Sequence, residues 1–151
     1  MRIFIDTNVW LEYLCGRSKA TDVRDLLDLM EDGAHEAFLS SASFCTISYY
    51  VELAFKDAGV HKPEKTSKTR EVLNLVLSMA SVTDIDHQRA HKATNDTAFS
   101  DFEDSLQYQC ALKAECDLFV TLNIKDFKNA ETKSIQILTP RQAYECLALQ
   151  K

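Results

Sequence analysis

Five short apolar runs fix what this chain can fold into. They are Arg2–Ile5, Glu36–Ser40, Ser81–Ile85, Leu118–Thr121 and Ser134–Leu138. Each has strand length, and most are separated by segments with helical periodicity. Those segments are Thr7–Gly16, Thr21–Glu31, a stretch from Ser41 through Phe55, Glu71–Ala80, Asp86–Phe99 and a sixth helix that starts near Ser100. A final helix opens at Thr139-Pro140-Arg141-Gln142, where a capping residue, a proline and a glutamine stand in the order that starts a helix. Ser100-Asp101-Phe102-Glu103 has the capping-box pattern as well. Short apolar strands alternating with helices predict an α/β fold, a parallel sheet covered on both faces.

The chain has 151 residues, which suits one domain over 1–151 with a core of its own. Three glycines and two prolines predict regular structure with short loops. The polar segment Lys56–Arg70 reads as a loop between two helices. The net charge of -6 argues against coating nucleic acid by bulk charge, but leaves room for an acidic site that works with cations. The five cysteines lack Cys-x-x-Cys spacing and read as reduced core residues of a cytoplasmic protein. Asp6 interrupts the first apolar run, so no signal peptide is expected, and no run has the length of a membrane span.

The chemistry-bearing residues sit at element tips. Asp6 follows the first strand, where open α/β sheets bind their ligands. Asp101 and Asp104 lie one turn apart at the start of the sixth helix. Thr121, Asn123 and Asp126 follow the fourth strand. In a parallel sheet these places share the carboxyl edge. Carboxylate and amide oxygens are hard donors that suit Mg²⁺ or Mn²⁺. Such an ion acidifies a water and stabilises charge on a phosphoryl group. The plainer roles are helix capping for Asp6, dipole-complementing acids for Asp101, Glu103 and Asp104, and turn residues for Asn123 and Asp126. Glu103 is assigned mainly to the capping box.

Three segments together resemble a PIN domain: Asp6-Thr7-Asn8, the Asp104–Ala111 helix and Val120-Thr121-x-Asn123-x-x-Asp126-Phe127. The resemblance covers nearly the whole chain. It implies a three-layer α/β/α fold with a central parallel sheet of about five strands. It also implies a metal-dependent endoribonuclease of the VapC-like toxin type, with an RNA substrate, a small antitoxin partner and a homodimeric state. By the same resemblance Asp6, Asp104 and Asp126 are the expected catalytic acids and Mg²⁺ or Mn²⁺ the expected cofactor. Asp101 and Asn123 complete the expected ligand set, with Thr7, Asn8 and Thr121 in support.

One position departs from that pattern. PIN nucleases carry a glutamate early in the helix after the second strand, and here the position falls on Thr46. The nearest glutamate, Glu52, is six residues on and belongs to another helix face. Asp101 is a candidate substitute. A scaffold with impaired catalysis, binding RNA or protein, is therefore the competing reading. Lys62, Lys65 and Lys68 are candidate RNA-backbone contacts, against a solvated loop. Tyr49-Tyr50 could stack on bases, although core packing is the commoner fate. His87 and His91 have a zinc-compatible spacing, but a solvated helix face accounts for them.

Overall fold

The computed structural model describes residues 1–31, 33–128 and 134–149. Its elements in chain order are β1 (Arg2–Ile5), α1 (Thr7–Leu14), α2 (Ala20–Met30), β2 (Glu36–Ser40), α3 (Ser41–Asp57), α4 (Glu64–Met79), β3 (Ala80–Thr83), α5 (His87–Asn95), α6 (Phe102–Lys113), β4 (Leu118–Val120), β5 (Gln136–Leu138) and α7 (Pro140–Ala148). A 3₁₀ turn, Ile124–Phe127, follows β4. The five strands form one sheet in the order β3-β2-β1-β4-β5, and every pairing is parallel. The chain lays down β1, β2 and β3 toward one edge, then crosses back to place β4 and β5 on the other side of β1. The gap between the carboxyl ends of β1 and β4 is therefore the topological switch point.

Alternation along β1 divides the core into two layers. Ile3 and Ile5 pack with residues of α1, α2, α3, α4 and α7, whereas Phe4 faces the aromatic layer under α6. Phe4 stacks on Phe119, its register partner in β4, at 5.1 Å between ring centroids. Each of these side chains is fully buried. Burial of each contributes about 1.5–3 kcal/mol, so the two strands that carry the site are also the best anchored.

Several boundaries differ from the sequence reading. The polar segment 56–70 is not all loop, because α4 begins at Glu64. Pro63 suits a helix start, and Glu64 pairs with Lys68 at 3.2 Å. That first part of α4 carries few apolar residues, so no period announced it. β3 starts at Ala80 and ends at Thr83, so Ile85 lies beyond it. α5 stops at Asn95, because the Asp96 side chain accepts from the Ala98 backbone N–H at 3.0 Å and turns the chain. The Thr139–Gln142 capping box and the proline at the start of α7 form as expected. Within β5 only Gln136–Leu138 is paired.

The cysteines also depart from the expectation of a buried set. Cys110 and Cys116 are buried, Cys146 is half-buried, and Cys15 and Cys45 are exposed; all five are free. Burial pushes the Cys110 thiol up to about 11 and the Cys116 thiol up to about 12, which keeps both protonated and inert. Among the described residues no helix is long and apolar enough to cross a membrane.

Candidate functional site

Asp6 stands at the switch point. It N-caps α1: its Oδ1 accepts from the Thr7 backbone N–H at 2.7 Å. Its Oδ2 accepts from the Thr121 hydroxyl at 2.9 Å, and its backbone N–H reaches the Val120 carbonyl at 3.0 Å. The capping role and the site role are thus the same placement. The loop after β4 grips the residue after β1, so the two strand tips are joined by a side chain. Asp6 is only 2% exposed. Burial pushes its carboxyl up to about 6, against the two hydrogen bonds that lower it, and Glu103 and Asp101 add repulsion.

Asp104, in the first turn of α6, is 7% exposed. No described residue gives its carboxylate a hydrogen bond. Burial pushes its carboxyl up to about 7, with further repulsion from Asp6, Asp101, Asp126 and Glu103. The structure therefore brings Asp6, Asp101, Asp104 and Asp126 into one electrostatic neighbourhood. Every charged neighbour that weighs most on Asp6 and Asp104 is an acid.

The remaining candidates take varied positions. Asp101 is exposed and serves as the α6 N-cap: its Oδ1 accepts from the Glu103 N–H at 2.8 Å. The cap is thus Asp101 and not Ser100, and the Glu103 side chain is left out of any capping box. Asn123 is exposed, and its backbone N–H donates to the Thr121 hydroxyl at 3.1 Å. Asp126 is half-buried on the 3₁₀ turn. Thr7 is buried, while Asn8 and Thr46 are half-buried. Lys65 shares a shallow groove with Tyr49, Glu52, Leu53 and Lys56. Along α3, Tyr49 is already about 9 Å from the buried Ser43 that borders the site. Lys62 precedes α4, and Lys68 is engaged by Glu64. Tyr49 and Tyr50 are 64% and 40% exposed and meet edge to face, so neither packs in the core.

Three residues escaped the sequence reading. The buried Thr7 hydroxyl meets Ser43 Oγ at 2.7 Å, Gln107 Nε2 at 3.0 Å and Glu103 Oε1 at 3.3 Å. Ser43 carries no sequence signal of its own, and Ser40 caps α3 by accepting from the Ser43 N–H. Gln107 gave no signal beyond standing one turn after Asp104 on a helix of low amphipathic contrast. Glu103 was masked by a local pattern with a simpler explanation.

A family description for the PIN domain matches residues 2–125. The chain belongs to the PIN domain family. Solved structures agree on the PIN fold. VapBC2 from Rickettsia felis, bound to a DNA fragment from its promoter, aligns at a TM-score of 0.63 and 18% identity, covering 91% of this chain and 97% of that one. VapBC-1 from nontypeable Haemophilus influenzae aligns at 0.62 and 13%, covering 93% and 98%. A toxin–antitoxin complex from Klebsiella pneumoniae aligns at 0.60 and 17%, covering 91% and 97%. At these identities the likeness is one of fold. No curated protein matches the sequence.

Use of divalent metals is general among PIN nucleases, and the donor chemistry here suits such an ion. Among the described residues no three His, Cys, Asp or Glu side chains are gathered tightly enough to enclose a metal. Mg²⁺ does not require that, since it commonly keeps several waters and takes one or two carboxylates. Two buried acids held above their ordinary range by burial and by repulsion from neighbouring acids are the groups that a dication would settle.

Proposed function

We propose that this PIN domain is a Mg²⁺- or Mn²⁺-dependent endoribonuclease, the toxin of a toxin–antitoxin pair. The observation that carries this reading is the pair Asp6 and Asp104, buried at the switch point with no cationic partner among their strongest charged neighbours. Buried carboxylates without basic partners cost stability, and such costs concentrate at functional sites. Asp6, Asp104 and Asp126 would hold the ion, with Asn123 as a neutral oxygen donor. When bound, the ion supplies Lewis-acid stabilisation of a phosphodiester and a more acidic water.

The chain's own residues do the positioning. The Thr7 N–H and the Thr121 hydroxyl each take one Asp6 oxygen, so the carboxylate is fixed in plane before any ligand arrives. The start of α1, with Thr7 and Asn8, directs its dipole toward phosphate. Lys62, Lys65 and Lys68 would track the RNA backbone away from the acidic edge. A small antitoxin, a homodimer and a cytoplasmic location belong to the same reading, supported by the fold shared with VapBC complexes and by five free thiols.

A second reading keeps the fold and drops the chemistry: a binding module with impaired catalysis. Thr46 favours it, because no charge stands where the family places a glutamate. Titration with Mn²⁺ and an RNA-cleavage assay separate the two. Metal-stimulated cleavage that Asp6→Ala abolishes supports the nuclease. RNA or protein binding without metal-stimulated cleavage supports the module. Reversal of Lys62, Lys65 and Lys68 to glutamate should weaken RNA binding and flatten its salt dependence; unchanged affinity would remove these lysines from the proposal.

A further inference from the structure

The Thr7 hydroxyl has three neighbours and only one proton. Gln107 Nε2 can only donate to it, at 3.0 Å. An ionised Glu103 can only accept from it, at 3.3 Å. Thr7 therefore gives its proton to Glu103, and Ser43, at 2.7 Å, must donate to Thr7. The Ser43 oxygen in turn accepts from Ser40 Oγ at 3.1 Å. Ser40 Oγ is held by the Ser43 backbone N–H at 2.9 Å. With these assignments every hydroxyl is satisfied and the chain runs one way, Ser40 to Ser43 to Thr7 to Glu103. It starts at the first turn of α3, the helix that lacks its acid, and ends on a carboxylate of α6.

A separate mark lies beside it. Gln107 is fully buried, and its Oε1 has no hydrogen-bond partner among the described residues. A fully buried amide that spends one end on Thr7 and leaves the other open is built for more than packing. It sits one hydrogen bond from the hydroxyl that orients Glu103.

We infer that Glu103, oriented by the Ser40–Ser43–Thr7 chain, supplies the negative charge that α3 lacks at Thr46, and that Asp101 does not. This rests on the divalent-cation reading above. The Asp101 Oδ1 is committed to capping α6, whereas the Glu103 Oε1 takes the hydroxyl of Thr7, the residue next to Asp6. Glu103 acts through charge at the site edge and Thr7 as a positioning residue.

The test is Mn²⁺ binding to the full chain, followed by calorimetry, with far-UV circular dichroism as the folding control. Glu103→Gln keeps the size of an exposed side chain and removes its charge. It should weaken Mn²⁺ about tenfold, the scale of losing a group that supports a metal site. Asp101→Asn preserves the cap and should change affinity less than about twofold. Thr7→Val should weaken Mn²⁺ several-fold, and Thr7→Ser should restore it, which a purely packing role for Thr7 would not produce. Glu103→Gln binding as tightly as wild type, while Asp104→Asn abolishes binding, overturns the inference and leaves the metal reading intact. Asp101→Asn losing as much as Glu103→Gln also overturns it. A wild-type chain that does not bind Mn²⁺ overturns the metal reading and this inference together.

Discussion

Two groups of acids on this molecule show opposite behaviour. On the surface, Asp84 and Asp86 share the Lys113 ammonium, each at 2.8 Å, and that lysine holds both carboxyls below their ordinary range. At the sheet edge, burial pushes Asp6 up to about 6, with repulsion from Glu103 and Asp101, and pushes Asp104 up to about 7, with repulsion from Asp6 and its acidic neighbours. The residue type is the same. The difference is whether the fold provides its own cation. The lysine cluster is complete in itself and ties α6 to the start of α5. The buried pair is charged at neutral pH only at a cost, which is why it marks the site.

That comparison can be broken most severely by removing the central acid. Asp6→Ala should reduce RNA cleavage by about 100-fold or more, the scale of deleting one preorganised electrostatic group, while the circular dichroism spectrum is kept. Full activity in a purified Asp6→Ala protein would end the nuclease reading.

The next effect is on stability. A carboxyl whose folded value lies above its unfolded one favours the folded state at low pH. With metal chelated, the Asp6 contribution is fully present below about pH 3.8 and is lost as pH rises through about 6; Asp104 continues the loss to about 7. For Asp6 the shift corresponds to roughly 3 kcal/mol. Urea midpoints measured in chelator from pH 4 to pH 8 should therefore show wild type losing ground to Asp104→Asn. Added Mn²⁺ should close the gap above pH 7 by stabilising wild type alone. Parallel curves for the two proteins would show that Asp104 carries no unusual charge cost.

The smallest effect belongs to the surface group. Lys113→Met should lower the melting temperature only slightly, and the loss should shrink in high salt, because exposed pairs are weak and screened. A large, salt-independent loss would show that Lys113 matters through packing and not through charge. The contrast with the buried pair would then rest on one side only.

Much of the architecture could be read without coordinates. Arg2–Ile5 is an apolar run stopped by an acid, and Thr139-Pro140-Arg141-Gln142 states its own helix start; both are local signals with local causes. The acids Asp6 and Asp104 were also legible, since each follows or opens an element whose type was plain. What failed were segments whose structure depends on partners. The first part of α4 is polar, and its helix is announced by no apolar period. Tyr49 and Tyr50 looked like core residues until α3 turned them outward.

By itself, then, the sequence determined the strand and helix alternation and the acids at the element tips. Only the tertiary structure decided which groups those acids meet. Thr7 Oγ1 touches residues 36, 96 and 100 positions away, and no local pattern encodes a contact across that distance. Parallel pairing around β1 brings the starts of α1, α3 and α6 to one edge. That convergence gives Glu103, which has an adequate local explanation in the sequence, a place beside Asp6.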